Sequence, residues 1–263
     1  PEPFPTRSRV TPLFELQRRR HRRLVRAAPR RHHRTMRFTR FRCLLRLFLV
    51  GAGLPAAATD AARWEPEFAR FEAQARTNPP PPGHVLLLGS SSFRLWTNVN
   101  EALPGRVVVN RGFGGSQFSD VLEHFDRLAP ASFRPAAILI YEGDNDLAAD
   151  KSPAAVAAEA RELVRRLRVR YPAARIGLLA VKPSPKRSAL LGNQRDLNAR
   201  LAALARARRG VDLLDVATPL LDAQGRPDPA WFVEDELHLN AAGYDLWRGV
   251  LRPWVERHAT RQD

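Results

Sequence analysis

A hydroxyl, an imidazole and a carboxylate occur along this chain in an order that permits acyl transfer from an ester. Ser91 lies in Gly89-Ser90-Ser91-Ser92-Phe93, and Asp235 and His238 lie in Asp235-Glu236-Leu237-His238-Leu239-Asn240. Between them come Asn110-Arg111-Gly112-Phe113-Gly114-Gly115-Ser116 and Glu142-Gly143-Asp144-Asn145-Asp146. A serine hydroxyl is a weak nucleophile and needs a neighbouring base. His238 can take its proton, while Asp235 sets the ring tautomer and stabilises the imidazolium. One turn of chain presents both side chains. The attacked carbonyl becomes an oxyanion, to which backbone N–H groups of the serine and glycine-rich segments and the amide of Asn145 can donate. Glycines there let backbone approach a substrate without a Cβ clash.

Each segment taken singly has an ordinary explanation. Gly-x-Ser and Gly-x-Asn are common turns. The glycine-rich segment can cradle a phosphate, but it does not match the Gly-x-x-x-x-Gly-Lys-Ser/Thr pattern of a nucleotide loop. Asp144 and Asp146 suggest a metal, yet no histidine stands near them in sequence and Glu142 is a thin third ligand, so turn chemistry is the expectation there. Trp96, Phe113 and Trp231 are candidates to line a substrate pocket, against ordinary core packing. Lys182-Pro183-Ser184-Pro185-Lys186-Arg187 either borders the cleft or is a solvated loop. His84, His124 and His258 are expected to be solvated or structural.

The elements that must position these residues alternate. Short apolar runs at 85–88, 107–109, 136–141, 176–181 and 211–214 read as buried parallel strands. Trp64, Phe68 and Phe71 recur at helical spacing, and Asn78-Pro79-Pro80-Pro81-Pro82-Gly83 must end that helix. A further helix starts at Ser152-Pro153, with a serine cap and proline at its first position. Others are expected at 194–208 and 241–257. Repeated strand–helix units imply an α/β fold with helices on both faces of a parallel sheet. Ligands in such sheets bind beyond the C-terminal strand ends, where Ser91, the glycine segment and Asn145 fall.

Order, spacing and strand ends together resemble the signature blocks of the SGNH (GDSL-like) hydrolases, over about 85–258. Ser91 matches the serine of the family's Gly-Asp-Ser-Leu block, with Ser90 in place of its Asp and Ser92 in place of its Leu. Gly115 matches the oxyanion glycine, Asn145 the Gly-x-Asn asparagine, and Asp235 and His238 the Asp-x-x-His pair. The resemblance implies a three-layer α/β/α sandwich with a five-stranded parallel sheet in flavodoxin-like order. It implies a serine esterase working through an acyl-Ser91 intermediate, with no cofactor and no metal. Ser90 and Ser92 are competing nucleophiles; only Ser91 occupies the aligned position. The family spans carbohydrate deacetylases, lipases, lysophospholipases and thioesterases. Short acyl groups, including acetyl on a glycan, are the expected substrates. The alternatives are a lysophospholipase or thioesterase, or an inactive carbohydrate- or lipid-binding module. An α/β-hydrolase shares the order Ser, Asp, His but requires Gly-x-Ser-x-Gly, and Phe93 stands at the fifth position.

The formal charge of +16 suggests nucleic acid, but residues 1–50 hold 15 of the 43 Lys and Arg against two acids, Glu2 and Glu15. The rest carries 28 basic against 25 acidic side chains. The folded part is thus not expected to bind nucleic acid, and salt-sensitive binding would belong to the basic segment alone. Residues 1–35 are expected to be a basic extension, disordered or non-native. Residues 36–58 have the parts of a signal peptide: Arg37, Arg40 and Arg42, then an apolar stretch interrupted by Arg46, then Ala56-Ala57-Ala58. That apolar run is shorter than the roughly 20 residues a span requires. A periplasmic or secreted location follows, with an uncleaved anchor as the alternative. Residues 59–83 form an N-terminal helix and connector, and 84–263 the hydrolase domain. Cys43 is the single cysteine, so a chain cleaved after 58 has no thiol for catalysis, zinc or disulfides.

Overall fold

The computed structural model describes residues 63–259. Residues 1–35, read above as a basic extension, and 36–58, read as a signal peptide, lie outside the described residues. Helix α1 (Glu65–Thr77) comes first and ends at Asn78, ahead of the proline run. Strand β1 (Val85–Gly89) leads into the short helices α2 (Ser91–Arg94) and α3 (Val99–Ala102), then β2 (Val108–Gly112). Next come α4 (Phe118–Glu123), α5 (Phe125–Leu128) and β3 (Ala137–Tyr141), then α6 (Asp144–Ala148), α7 (Pro153–Arg170) and β4 (Arg175–Leu179). A 3₁₀ turn (Pro185–Leu190) runs into α8 (Leu191–Arg206), and β5 (Val211–Leu214) and α9 (Ala241–His258) complete the order.

All five strands are parallel, in the order β2-β1-β3-β4-β5, which is the flavodoxin-like order. Gly89 pairs with Gly112 on one side and with Tyr141 on the other. The three strands that precede the Ser91, Gly115 and Asn145 segments therefore end in register. The chain leaves β1 toward β2 on one side and resumes at β3 on the other, which opens a crevice at their C-terminal ends.

Alternate strand residues enter two cores. Leu86, Leu88, Ile138, Ile140, Ile176 and Leu178 face one layer, together with Phe68 and Phe71 of α1 and the apolar stripes of α7 and α8. Val85, Leu87, Leu139, Tyr141 and Leu214 face the other, against Trp247, Leu251 and Trp254 of α9. With both faces covered, continuous apolar strands are required. Ser152 caps α7, its hydroxyl accepting from the Ala155 N–H at 3.2 Å.

Several boundaries differ from the sequence expectation. β2 starts at 108 and extends through Asn110, Arg111 and Gly112. Arg111 is accommodated because its guanidinium lies over the rings of Phe71 and Phe133, at 4.8 and 5.4 Å. Burial lowers its pKa to about 10. β4 stops at Leu179, short of 181. The Val181 backbone instead bonds both ways with the Asn198 side chain, at 2.7 and 3.0 Å. α8 begins earlier than 194, because the 3₁₀ turn delivers the chain directly into it. His124 sits at the junction of α4 and α5.

Candidate active site

Ser90, in extended conformation, caps α2, and Ser91 is its first residue. The Ser90 N–H reaches the Tyr141 carbonyl at the end of β3, at 3.2 Å, which fixes the serine segment over the β1–β3 crevice. Ser90 and Ser92 are buried, at 2% and 3% exposure, whereas Ser91 is only partly buried. Its hydroxyl alone of the three meets a histidine: His238 Nε2 lies 2.9 Å from Ser91 Oγ. The packing thus separates three serines that the sequence leaves as competitors.

The His238 loop is built by its own backbone. The Val233 N–H donates to the His238 carbonyl and the Glu236 N–H to the Val233 carbonyl, both at 2.9 Å. Phe232 and Leu239 form an isolated antiparallel bridge. Asp235 Oδ1 accepts from the N–H groups of Leu237 and His238, each at 2.9 Å. Asp235 Oδ2 is left for His238 Nδ1, at 2.5 Å. With Nδ1–H donating to the carboxylate, Nε2 is the acceptor that faces Ser91. Burial alone would raise the Asp235 pKa, but the bonds from His238 and Leu237 outweigh it and hold it down to about 2. Asp235 is therefore ionised throughout the neutral range, and its 48% exposed side chain keeps solvent contact that favours the charge. Asn240 caps α9 through the Gly243 N–H, and Tyr244 on that helix donates to the Ser92 carbonyl at 2.8 Å. That bond ties the helix after the histidine to the serine segment.

The glycine loop crosses beside them. Trp64 Nε1 donates to the Gly114 carbonyl at 2.9 Å, so the N-terminal segment braces it. Gly115 has φ +77°, a left-handed conformation that side chains disfavour by about 1–2 kcal/mol. Ser116 Oγ, fully buried, donates to Glu142 Oε1 at 2.6 Å. Gly143, at φ +110°, is the cap from which α6 starts. Along the run from Glu142 to Leu147, only Asn145 keeps part of its surface open. Asn145 Nδ2 donates to the Ser116 carbonyl at 2.9 Å, joining the amide to the glycine loop.

Sequence reasoning missed what lies behind Asn145. Asp144 and Asp146 are not in a turn but in the first turn of α6, and both are buried. Asp144 pairs with Lys182 at 3.2 Å and with Arg187 at 2.8 Å. Burial pushes its pKa up, the two cations pull it down more strongly, and the net shift is downward. Asp146 pairs with Lys151 at 3.1 Å and accepts from the Phe118 N–H. Lys182 is 1% exposed and Pro183 and Ser184 are buried with it, so the start of the 182–187 segment is packed into the fold, whereas Lys186 is exposed. Among the described residues, no group of three or more His, Cys, Asp or Glu is arranged to hold a metal.

Two aromatic candidates are corrected. Trp96 is 1% exposed and stacks on Tyr244 at 5.3 Å. Phe113 is fully buried between Trp64 and Phe68, at 5.2 and 5.3 Å. Both fill core space and present no surface to a substrate. Trp231 is partly exposed, on the segment that leads into the Asp235–His238 loop. Among the described residues, the other histidines are structural. His84 is buried beside the Pro81 carbonyl at 2.8 Å. His124 lies against Phe68, and His258 against Trp254.

A model of the GDSL-like lipase/acylhydrolase family matches residues 87–246, which include all four blocks of the site. Solved structures share the fold. A Streptococcus pneumonia protein proposed to be a platelet activating factor aligns with TM-score 0.67 and 21% identity, covering 74% of this chain and 94% of its own. A GDSL-like lipase from Bacteroides thetaiotaomicron gives 0.57 and 20%, covering 72% and 98%. A carbohydrate esterase family 3 protein from Talaromyces cellulolyticus gives 0.54 and 14%, covering 66% and 96%. At these identities the likeness is one of fold. Comparison with curated proteins finds no match.

Proposed function

The chain belongs to the GDSL-like lipase/acylhydrolase family and is a serine hydrolase acting on ester bonds, and from that premise we propose that Ser91, His238 and Asp235 form its catalytic triad. His238 Nε2 takes the Ser91 hydroxyl proton as Oγ attacks the ester carbonyl. The oxyanion is held by the N–H groups of Ser91 and Gly115 and by the Asn145 amide. His238 then protonates the departing alcohol, leaving an acyl-Ser91 ester. Water repeats the sequence in reverse and frees the acid. The observation that carries this reading is the continuous relay from Asp235 Oδ2 through His238 to Ser91 Oγ, at 2.5 and 2.9 Å.

The proposed substrate is a short acyl ester, acetyl on a carbohydrate being the leading case. Two points support it. The aromatic side chains that follow Ser91 are fully enclosed, Phe93 against Tyr141 and Trp247, Trp96 against Tyr244. Phe93 and Trp96 therefore add no exposed aromatic lining that a long acyl chain could lie against. The fold is also that of a carbohydrate esterase family 3 protein. We further propose export, on the signal-like segment 36–58, to a periplasmic or extracellular site where glycan esters are met. Among the described residues no helix is long and apolar enough to cross a membrane.

The test is a nitrophenyl ester series of increasing acyl length, run on the wild type and on Ser91→Ala. Turnover greatest at acetyl or butyryl and abolished in a folded Ser91→Ala is the expected result. An optimum at long chains would move the substrate to lipids. Full activity without Ser91 would end the assignment, and an inert wild type with no fluorophosphonate adduct would mark a binding module.

A further inference from the structure

The segment Lys182-Pro183-Ser184-Pro185-Lys186-Arg187 follows β4 at the catalytic end of the sheet, yet no step above uses it. Its contacts are specific. Arg187 NH2 donates to Asn145 Oδ1 at 2.9 Å. The NH1 of the same guanidinium lies 2.8 Å from Asp144 Oδ1. Lys182 holds the other Asp144 oxygen at 3.2 Å. Arg187 and Asp144 are 16% and 6% exposed, so this ionic cluster is largely withdrawn from solvent. One residue before Arg187, the Lys186 N–H donates to the Glu236 carbonyl at 3.1 Å, inside the loop that carries Asp235 and His238.

We propose that Arg187 is a positioning residue for the oxyanion hole, orienting and polarising the Asn145 carboxamide. The proposal rests on the reading of Asn145 as an oxyanion donor. A guanidinium carries donors only, so the Asn145 atom facing it must be the carbonyl oxygen. The opposite end must then be the amide nitrogen, one hydrogen of which is taken by the Ser116 carbonyl. The second hydrogen stays available on the partly open side of the residue. A flipped amide would set its NH2 against a cation and its oxygen against a carbonyl, so the cation excludes the orientation that cannot donate. The charge-assisted bond also draws electron density toward Oδ1, which makes the Nδ2–H a stronger donor as oxyanion charge develops. Asp144 fixes the guanidinium from behind, as a planar fork allows. The tie from Lys186 to Glu236 couples this support to the loop bearing the base.

The experiment is a double-mutant cycle with Asn145→Ala and Arg187→Met, reading kcat and KM on a nitrophenyl acetate substrate, with circular dichroism and Tm as the check on folding. Asn145→Ala should lower kcat by about 10²–10³ with KM little changed. Arg187→Met should lower kcat by about ten- to hundredfold, the range of one charge-assisted bond. In the Asn145→Ala background the same substitution should cost no more than about twofold, because its target is gone. Guanidinium added below denaturing concentration should restore part of kcat to Arg187→Ala and none to Arg187→Ala with Asn145→Ala. Multiplying losses, or rescue independent of Asn145, would overturn the proposal. If Asn145→Ala alone were silent, the oxyanion reading would fail and the proposal with it. Should Arg187→Met not fold, Arg187→Lys keeps a cation on Asp144 but loses the fork, and the cycle is run with it under the same criteria.

Discussion

His238 Nε2 stands 2.9 Å from Ser91 Oγ across 147 residues of chain. Nothing local brings them together. Ser91 is placed by the end of β1, while His238 is placed by a loop pinned between Trp231, Val233 and α9. The Tyr244–Ser92 bond of 2.8 Å fastens one to the other, next to the pair it keeps in range.

Replacing Asp235 with Asn is expected to be far more costly than its small change in volume implies. The variant keeps an oxygen for the Leu237 and His238 N–H groups but turns a donor toward His238 Nδ1. The ring must then present Nε2–H to Ser91 and cannot act as base. A loss of about 10⁴ in kcat is expected, as for the equivalent change in a triad. Labelling of Ser91 by a fluorophosphonate should slow with it. Wild-type kcat and labelling would show that Asp235 is not the acid, and Glu234 or Glu236 would then be tested.

Replacing Trp96 with Ala distinguishes core from pocket. Trp96 is 1% exposed and touches both Tyr244 and Trp247. Its loss should destabilise the fold by about 3–5 kcal/mol in denaturant titration, the usual cost of a large aromatic core deletion. KM should stay within about twofold, since no uniform binding to substrate is removed. A large rise in KM with unchanged stability would return Trp96 to the pocket.

The strands were legible because a sheet covered on both faces needs unbroken apolar runs, and 85–88 or 136–141 can satisfy little else. Ser91, Asn145, Asp235 and His238 were legible as side chains of fitting chemistry in fitting order. What stayed hidden depends on partners far along the chain. Asp144 reads as a turn residue until Lys182 and Arg187, 38 and 42 positions ahead of Asp144 and Asn145 respectively, neutralise it and orient its neighbour. Trp96 follows the nucleophile closely, and sequence alone does not say that its ring turns away from the cleft to stack on Tyr244. Arg111 reads as lying beyond its strand until Phe71 and Phe133 are seen to shelter it within β2.

Glu142 yields a prediction in pH rather than in rate. The side chain is 1% exposed, and Ser116 Oγ donates to its Oε1 at 2.6 Å. Burial is the main force that raises its pKa well above the usual carboxylate range. The negative charge of Asp146 adds to it, and the Ser116 bond offsets only part. The folded protein therefore keeps a proton on Glu142 at pH values where the unfolded chain, titrating near an ordinary glutamate value of about 4.3, has lost it. A group raised in the fold contributes fully below the unfolded pKa, and stability falls as pH climbs from there toward the folded value. The slope for one proton is at most about 1.4 kcal/mol per pH unit. Asp146, raised to about 6 by burial despite Lys151, acts in the same direction over about pH 4 to 6. Glu142→Gln keeps an acceptor for Ser116 and cannot ionise. Its Tm should exceed the wild-type Tm by more at pH 8 than at pH 5, when both proteins are followed by calorimetry in matched ionic strength. An equal gap at the two pH values would mean that Glu142 carries the same charge in folded and unfolded chains, and the buried neutral carboxyl beside the glycine loop would have to be abandoned.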